Sequence, residues 1–253
     1  PKAVATFLYE FGEMRDGSCY NKKTNKKIAA CMPMHTFGFP VHLDELITVC
    51  SKWGIPIVED AAESVGSQYK HRPIGSFGSL GIFSFNGNKI ITSGGGGAIV
   101  TNDVELGIKA KHLTTTAKKR HHYEYIHDDI GYNFRMPNIN AALACAQLQQ
   151  LEMFLVDKRN LALEYKRYFI KKGIKFREEQ PNTKANYWLI CVELENKKER
   201  DLFLEETNDK GVMTRPIWQL IFKSELYQGF QRDDQKNALF LEERIVNIPS
   251  SVR

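Results

Sequence analysis

Ala3, Val4, Phe7, Leu8 and Phe11 recur at the period of an amphipathic helix, which Gly12 to Gly17 bring to an end. The turn-rich Asn21–Lys27 leads into Ile28-Ala29-Ala30-Cys31-Met32, a short apolar run that predicts a buried strand. His35–Pro40 reads as loop. Leu43, Leu46, Ile47, Cys50 and Trp53 line one face of a second helix closed by Gly54. Ile55-Pro56-Ile57-Val58 is another buried strand, stopping at Glu59-Asp60. Strands without polar alternation, separated by helices, predict an α/β fold with a parallel sheet covered on both faces.

Two more apolar runs, Ile82–Phe85 and Ala98–Thr101, flank a glycine-rich stretch, and Asp103 can cap a helix through Leu113. Thr114–Asp129 is polar, basic and aromatic, an ordered loop. Pro137 opens a long helical pattern (Ile139, Leu143, Ala146, Leu148, Leu151, Leu155) that runs to about Ile170 and can bridge two domains. After Gly173 the pattern predicts a strand over Tyr187–Val192, a helix over Glu199–Asn208, a strand over Val212–Arg215 and a last helix over Leu239–Ile245. The chain therefore divides into a large domain, 1–150, and a linker helix with a small α+β domain, 151–253.

Charge changes this picture little. A formal net charge of +5, from 35 basic and 30 acidic residues, permits an anionic ligand without calling for nucleic acid. Five scattered cysteines with no Cys-x-x-Cys pair speak against a disulfide framework or a zinc site and suit a reducing compartment. Cys31, Cys145 and Cys191 have apolar neighbours and read as buried packing. No run is apolar enough to span a bilayer, and the first residues do not form a signal peptide, so the expected location is cytoplasmic. Removal of an initiator Met before Pro1, or a fragment, accounts for a chain that starts on Pro.

The chemistry gathers in Ser84–Gly97. Lys89 lies between an apolar run and the glycines Gly94–Gly97, and a desolvated lysine can be a nucleophilic amine. The glycines match neither a dinucleotide fingerprint nor a Walker loop. Asp60 stands at the carboxyl end of a buried strand, where ligands bind in open α/β sheets, though capping of a following helix explains it as well. A carboxylate for a ring nitrogen, a hydroxyl for a phosphate and a lysine for a Schiff base together suit pyridoxal phosphate.

Val58-Glu59-Asp60-Ala61-Ala62-Glu63-Ser64, then Ser84-Phe85 with Lys89 and the glycines, then Gly131–Ala142, resemble the DegT/DnrJ/EryC1/StrS sugar aminotransferases across essentially the whole chain. His112–Lys118, Arg215-Pro216-Ile217-Trp218 and Glu243–Ser251 resemble the branch acting in legionaminic acid and bacillosamine-type pathways. The resemblance implies an aspartate-aminotransferase-type fold with pyridoxal 5'-phosphate on Lys89, which also shuttles the proton. It implies Asp60 on the pyridine nitrogen, Glu63 against the ring where relatives often have Gln or His, and Ser84 on the phosphate. Asn133 would reach the phosphate of a neighbouring subunit, making a homodimer a requirement. Gly95 departs from the Glu that many relatives carry. Relatives also have an amino-terminal part with a phosphate-binding Gly-Thr/Ser-x-Ala turn that this sequence lacks. The expectation is a large domain partly missing, with an uncovered sheet edge.

The implied activity is transfer of an amino group, from glutamate, to the 4-keto group of a UDP-linked deoxy-amino sugar in polysaccharide biosynthesis. The sugar dehydratases of the superfamily carry His at the lysine position, so Lys89 disfavours dehydration. A catalytically silent chain that retains dimer contacts or nucleotide-sugar binding is the alternative. His112–His122 reads as a diphosphate contact or a solvated loop, and Trp218 as a wall of the sugar pocket or a buried core residue.

Overall fold

In the computed structural model, which describes residues 1–253, the opening amphipathic stretch forms α1 (Lys2–Phe11). A meander follows in place of the expected turn: β1 (Gly12–Arg15), β2 (Ser18–Asn21) and β3 (Lys26–Lys27) pair antiparallel in that order. Asp16 (φ 46°) and Gly17 (φ 73°) both turn left-handed between β1 and β2, as a tight two-residue hairpin requires. The Asn21 side chain accepts the N–H groups of Lys23 and Thr24, fixing the next turn.

The run Ile28–Met32 is not a regular strand. It makes isolated parallel bridges at Cys31–Ile57, with Met34–Asp60 beyond it, and leaves Ala29, Ala30 and Met32 exposed. α2 (Leu43–Lys52) buries the predicted Leu43, Leu46 and Cys50. Leu46 and Cys50 share a core cluster with Leu8 of α1, Cys19 of β2, and Ile55 and Ile57. β4 (Val58–Asp60) begins later than the apolar run, past Pro56, which has no N–H for a ladder. No helix follows Asp60; the chain turns through residues 61–67 into the short pair β5 (Gln68–Tyr69) and β6 (Arg72–Pro73).

β7 (Leu80–Ser84) pairs parallel with β4, and β8 (Gly97–Val100) pairs antiparallel with β7. The sheet β4-β7-β8 is thus mixed rather than all parallel, because β7 and β8 are joined directly by the glycine-rich connection. α3 (Val104–Thr114) starts at the expected cap, with Asp103 Oδ1 accepting from the N–H groups of Glu105 and Leu106 at 2.9 and 3.0 Å. The long helical pattern divides at Gln150 into α4 (Asn138–Gln149) and α5 (Leu151–Lys171). Cys145, on α4, is exposed rather than buried.

Two compact units result: Pro1–Met153 with Pro181–Asn186, and Phe154–Gln180 with Tyr187–Arg253. In the second, β9 (Lys175–Phe176) joins a four-stranded sheet. The chain then contributes β10 (Thr183–Lys184) to the first unit, paired with β5. β11 (Ile190–Glu193), α6 (Lys197–Asp209), β12 (Arg215–Pro216), α7 (Lys236–Glu242) and β13 (Ile245–Ile248) complete the second unit, with sheet order β12-β13-β11-β9. The predicted last helix stops early and Ile245–Ile248 is instead a central strand with all four residues buried. A short apolar run buried on both faces reads the same as buried helix. Trp218 is 52 % exposed and stacks at 6.0 Å on buried Trp188, so it is not a core residue.

Lys158 of α5 is buried, and its ammonium donates to the carbonyls of Trp188, at 3.2 Å, and Ser250. Burial pushes the amine down to about 8, against the pull of Asp157. The unfolded chain therefore holds more protons than the folded one between about pH 8 and the unperturbed 10.5, so this residue makes stability rise with pH across that window. Lys158→Met is expected to flatten that rise and to cost about 1–3 kcal/mol through the orphaned carbonyls. Thermal melts at pH 7.5 and 10 check both effects, and an unchanged slope would refute the first.

Candidate functional site

Asp60 pairs in register with Ile82, and Ser84 lies two residues further along β7. Side chains alternate along strands, so Asp60 and Ser84 project from the same face at the carboxyl ends of two adjacent parallel strands. Asp60 Oδ1 accepts the Ala62 N–H at 3.1 Å, capping a turn and leaving Oδ2 uncommitted. Ser84 Oγ accepts the Asn86 N–H at 3.3 Å, which leaves its own proton to donate.

Lys89 sits in the β7–β8 connection, where its N–H bonds to the carbonyl of Asn86. Phe85 grips both arms of this connection: its N–H donates to Gly96 O, and its carbonyl accepts from the Ser93 N–H and the Thr92 hydroxyl. From α4, Asn140 Nδ2 donates to Ser93 O at 2.5 Å and Gln147 accepts the Thr92 N–H. Gly96 turns at φ +93°, and a Cβ on Gly97 would lie 2.3 Å from Phe83 O, so the glycines are required by close backbone approach. Gly95 alone faces open space, with room for the larger residue of relatives.

Lys89 Nζ lies 3.7 Å from Glu63 Oε1, with the two side chains only 13 % and 9 % exposed. Glu63 Oε2 accepts the Phe37 N–H at 2.6 Å. Burial pushes the Glu63 carboxyl above its usual range, with the charge of Asp60 adding to it; the Phe37 N–H and Lys89 oppose the shift. Phe37 holds φ 60°, a conformation a bulky side chain rarely adopts, in the turn that places its N–H against Glu63.

Three elements behind the site carry no mark in the apolar pattern. His35 and Glu59 are both fully buried, with His35 Nε2 3.2 Å from Glu59 Oε2. The Val41 N–H donates to His35 Nδ1, which assigns the proton to Nε2, so the imidazole donates to the carboxylate. Glu59 also accepts the N–H groups of Gly75, Phe77 and Gly78 at 2.6–2.9 Å. Burial raises the Glu59 carboxyl, but His35 and the three N–H groups together outweigh it and hold the group below its usual range. Asn186, also buried, donates to the carbonyls of Glu63 and Val65, and Ser67 donates to Gly38 O. A carboxylate following directly on an apolar strand run, Glu59 after Ile57 and Val58, was the available signal for the first of these.

Asn133 is not brought to Lys89 within this chain. It is exposed on an irregular arm that follows α3, held by isolated bridges at Thr115–Asn133 and Lys118–His127, and accepts from Arg135 Nη1. In the basic segment, His112 Nε2 meets Asp128 at 2.7 Å and Lys118 lies over the Tyr125 ring at 3.9 Å. A cavity of about 690 Å³, lined by Ile82, Gly96, Lys111, Arg135 and Asn140 among others, adjoins the glycines but not Lys89 or Asp60. Lys89 and Asp60 therefore lie outside this cavity rather than within it. No group of His, Cys, Asp and Glu is arranged to hold a metal ion, and no helix is long and apolar enough to cross a membrane.

The residues present fit pyridoxal phosphate by donor type: an amine, an uncommitted carboxylate oxygen and a free hydroxyl proton at one end of one sheet. Comparison with known proteins agrees. The model of the DegT/DnrJ/EryC1/StrS aminotransferase family matches residues 18–253. The chain is 34 % identical over 230 residues to GDP-perosamine synthase of Escherichia coli O157:H7, covering 90 % of this chain and 62 % of that protein. It is 28 % identical to the Helicobacter pylori UDP-4-amino-4,6-dideoxy-N-acetyl-beta-L-altrosamine transaminase, covering 84 % and 58 %. Among solved structures, Helicobacter pylori PseC, an aminotransferase of pseudoaminic acid biosynthesis, superposes with a TM-score of 0.83 at 26 % identity, covering 88 % of this chain and 62 % of that one. The chain thus spans about three fifths of the length of these relatives.

Proposed function

The chain belongs to the DegT/DnrJ/EryC1/StrS aminotransferase family, whose members are pyridoxal-phosphate-dependent sugar aminotransferases, and we propose that it transfers an amino group to a nucleotide-linked sugar through Lys89. The observation that carries this reading is the Lys89 amine, held beside Glu63 in a loop that closes onto the strand ends bearing Asp60 and Ser84. When bound, pyridoxal phosphate supplies a reactive aldehyde carbon and an electron-withdrawing ring.

In this reading Lys89 provides the amine that anchors the cofactor and then carries the proton between carbons. Asp60 Oδ2 keeps a proton on the ring nitrogen through a charge-assisted bond. The Ser84 hydroxyl donates to the phosphate. Glu63 would stand against the bound ring, its carboxylate held by the Phe37 N–H. Asn133, exposed on its arm, donates to the phosphate in a second copy, so the working unit is a homodimer. Glutamate is the amino donor, and the acceptor is a 4-keto deoxysugar on a nucleoside diphosphate. The relatives' names bring both UDP- and GDP-linked sugars into this class, and a side-by-side assay with the two decides the base. The reading places the enzyme in the cytoplasm and in polysaccharide biosynthesis.

Incubation with pyridoxal phosphate followed by borohydride reduction tests the reading. The expected result is a stable adduct on the peptide carrying Lys89, together with loss of the bound cofactor's visible absorbance when glutamate replaces borohydride. A protein that stays colourless and unlabelled is the silent chain of the alternative reading.

A further inference from the structure

We propose that Glu63 is a positioning residue: it pairs with the proton-carrying form of Lys89 and holds that amine at the strand ends. The inference rests on the function proposed above, and its geometry stands without it. One carboxylate oxygen of Glu63 is fixed by the Phe37 N–H at 2.6 Å, which presents the other to Lys89 Nζ at 3.7 Å.

The support is built from both ends of the residue. Asn186 holds the Glu63 carbonyl, and Phe37 is locked in its left-handed turn beside Gly38, whose missing Cβ leaves room for the Asn186 amide. The charged groups acting on Glu63 are Lys89, from the β7–β8 connection, and Asp60, from the end of β4. Little water reaches the pair, so its attraction is only weakly screened.

The chemical consequence concerns the proton shuttle. When a C–H bond of the amino donor breaks, its electron pair passes toward the electron-withdrawing ring of the bound cofactor, and the Lys89 lone pair takes the proton. A new ammonium forms, and the Glu63 carboxylate opposite stabilises it. The same N–H bond would then break as the proton passes to the carbon that takes back that electron pair, leaving Lys89 neutral for the corresponding transfer with the sugar. Glu63 thus holds the protonated amine in place without itself touching the carbon.

Trace acetylation of the cofactor-free protein with acetic anhydride, read residue by residue by mass spectrometry from pH 6 to 10, tests this. In Glu63→Gln, which keeps the Phe37 bond but loses the charge, Lys89 is expected to acetylate at pH 7 at least ~10-fold faster than in the wild type, with exposed lysines unchanged. Asp60→Asn is expected to change Lys89 less. An unaltered Lys89 profile in Glu63→Gln, or an equal change in Asp60→Asn, overturns the proposal. Failure of the wild type to take up pyridoxal phosphate would instead remove the cofactor reading, while the acetylation profile still decides the Lys89–Glu63 pairing.

Discussion

Lys89→Ala is expected to abolish borohydride-stable labelling by pyridoxal phosphate and to lower amino transfer by about 10⁴-fold or more, the upper end of what a positioned acid–base group contributes. On the function proposed above, the effect is large because a single amine would serve twice, as the covalent anchor and as the proton carrier. The fold should tolerate the change. Lys89 lies in a connection held by Phe85, Ser93 and the α4 side chains Asn140 and Gln147 rather than by its own side chain. An Ala variant that melts with the wild type yet still labels and turns over would remove Lys89 from the mechanism. One that no longer labels but melts normally supports it.

The second large effect lies behind the site. Glu59→Gln is expected to destabilise the protein by about 3 kcal/mol, the upper end for leaving buried hydrogen-bonding groups unsatisfied. That corresponds to a fall in Tm of roughly 6–12 °C for a chain of this size. The carboxylate accepts from four donors; an amide in its place turns an N–H₂ toward at least one of them. His35 cannot compensate by changing tautomer, because its Nδ1 already accepts the Val41 N–H. The pH dependence has a definite sign. The folded carboxyl lies below the unfolded value of about 4.5, so its stabilisation is complete above that pH and fades as pH falls through the folded value. Wild type and variant should therefore differ most at neutral pH and converge in acid. A constant difference from pH 7 to 3 would argue that Glu59 acts by packing alone.

Much of this architecture was legible in the residues. The helix faces of α1 and α2 follow from their period, and the start of α3 follows from Asp103. Lys89, Asp60 and Ser84 were legible as chemical types near strand ends, and strand register then sets Asp60 and Ser84 on one face. What escaped was set by tertiary context. The β1–β2 hairpin rests on Asp16-Gly17, a pair that advertises a tight turn but not the strands on either side of it. β13 was hidden because four residues, Ile-Val-Asn-Ile, are too few to show a period and bury a polar Asn247 among apolar neighbours. The His35–Glu59 pair joins residues 24 positions apart, and the fixing of Glu63 by Phe37 depends on a backbone angle that no side chain announces. Asn133 had a role by resemblance, yet its distance from Lys89 within one chain is a fact of topology alone.

Asn186 reaches back more than a hundred residues to grip the Glu63 backbone. Contacts of such sequence separation form late, because a long loop must close before they repay its entropy. During vectorial synthesis the sheet β4-β7-β8 and its lysine emerge from the ribosome well before residue 186 does. The carboxylate opposite that lysine therefore acquires its final backbone support only after most of the second unit's helix α5 has also been made. The Lys89–Glu63 pair is in this way completed by a short returning segment, Pro181–Asn186, rather than only by the elements that carry the two side chains.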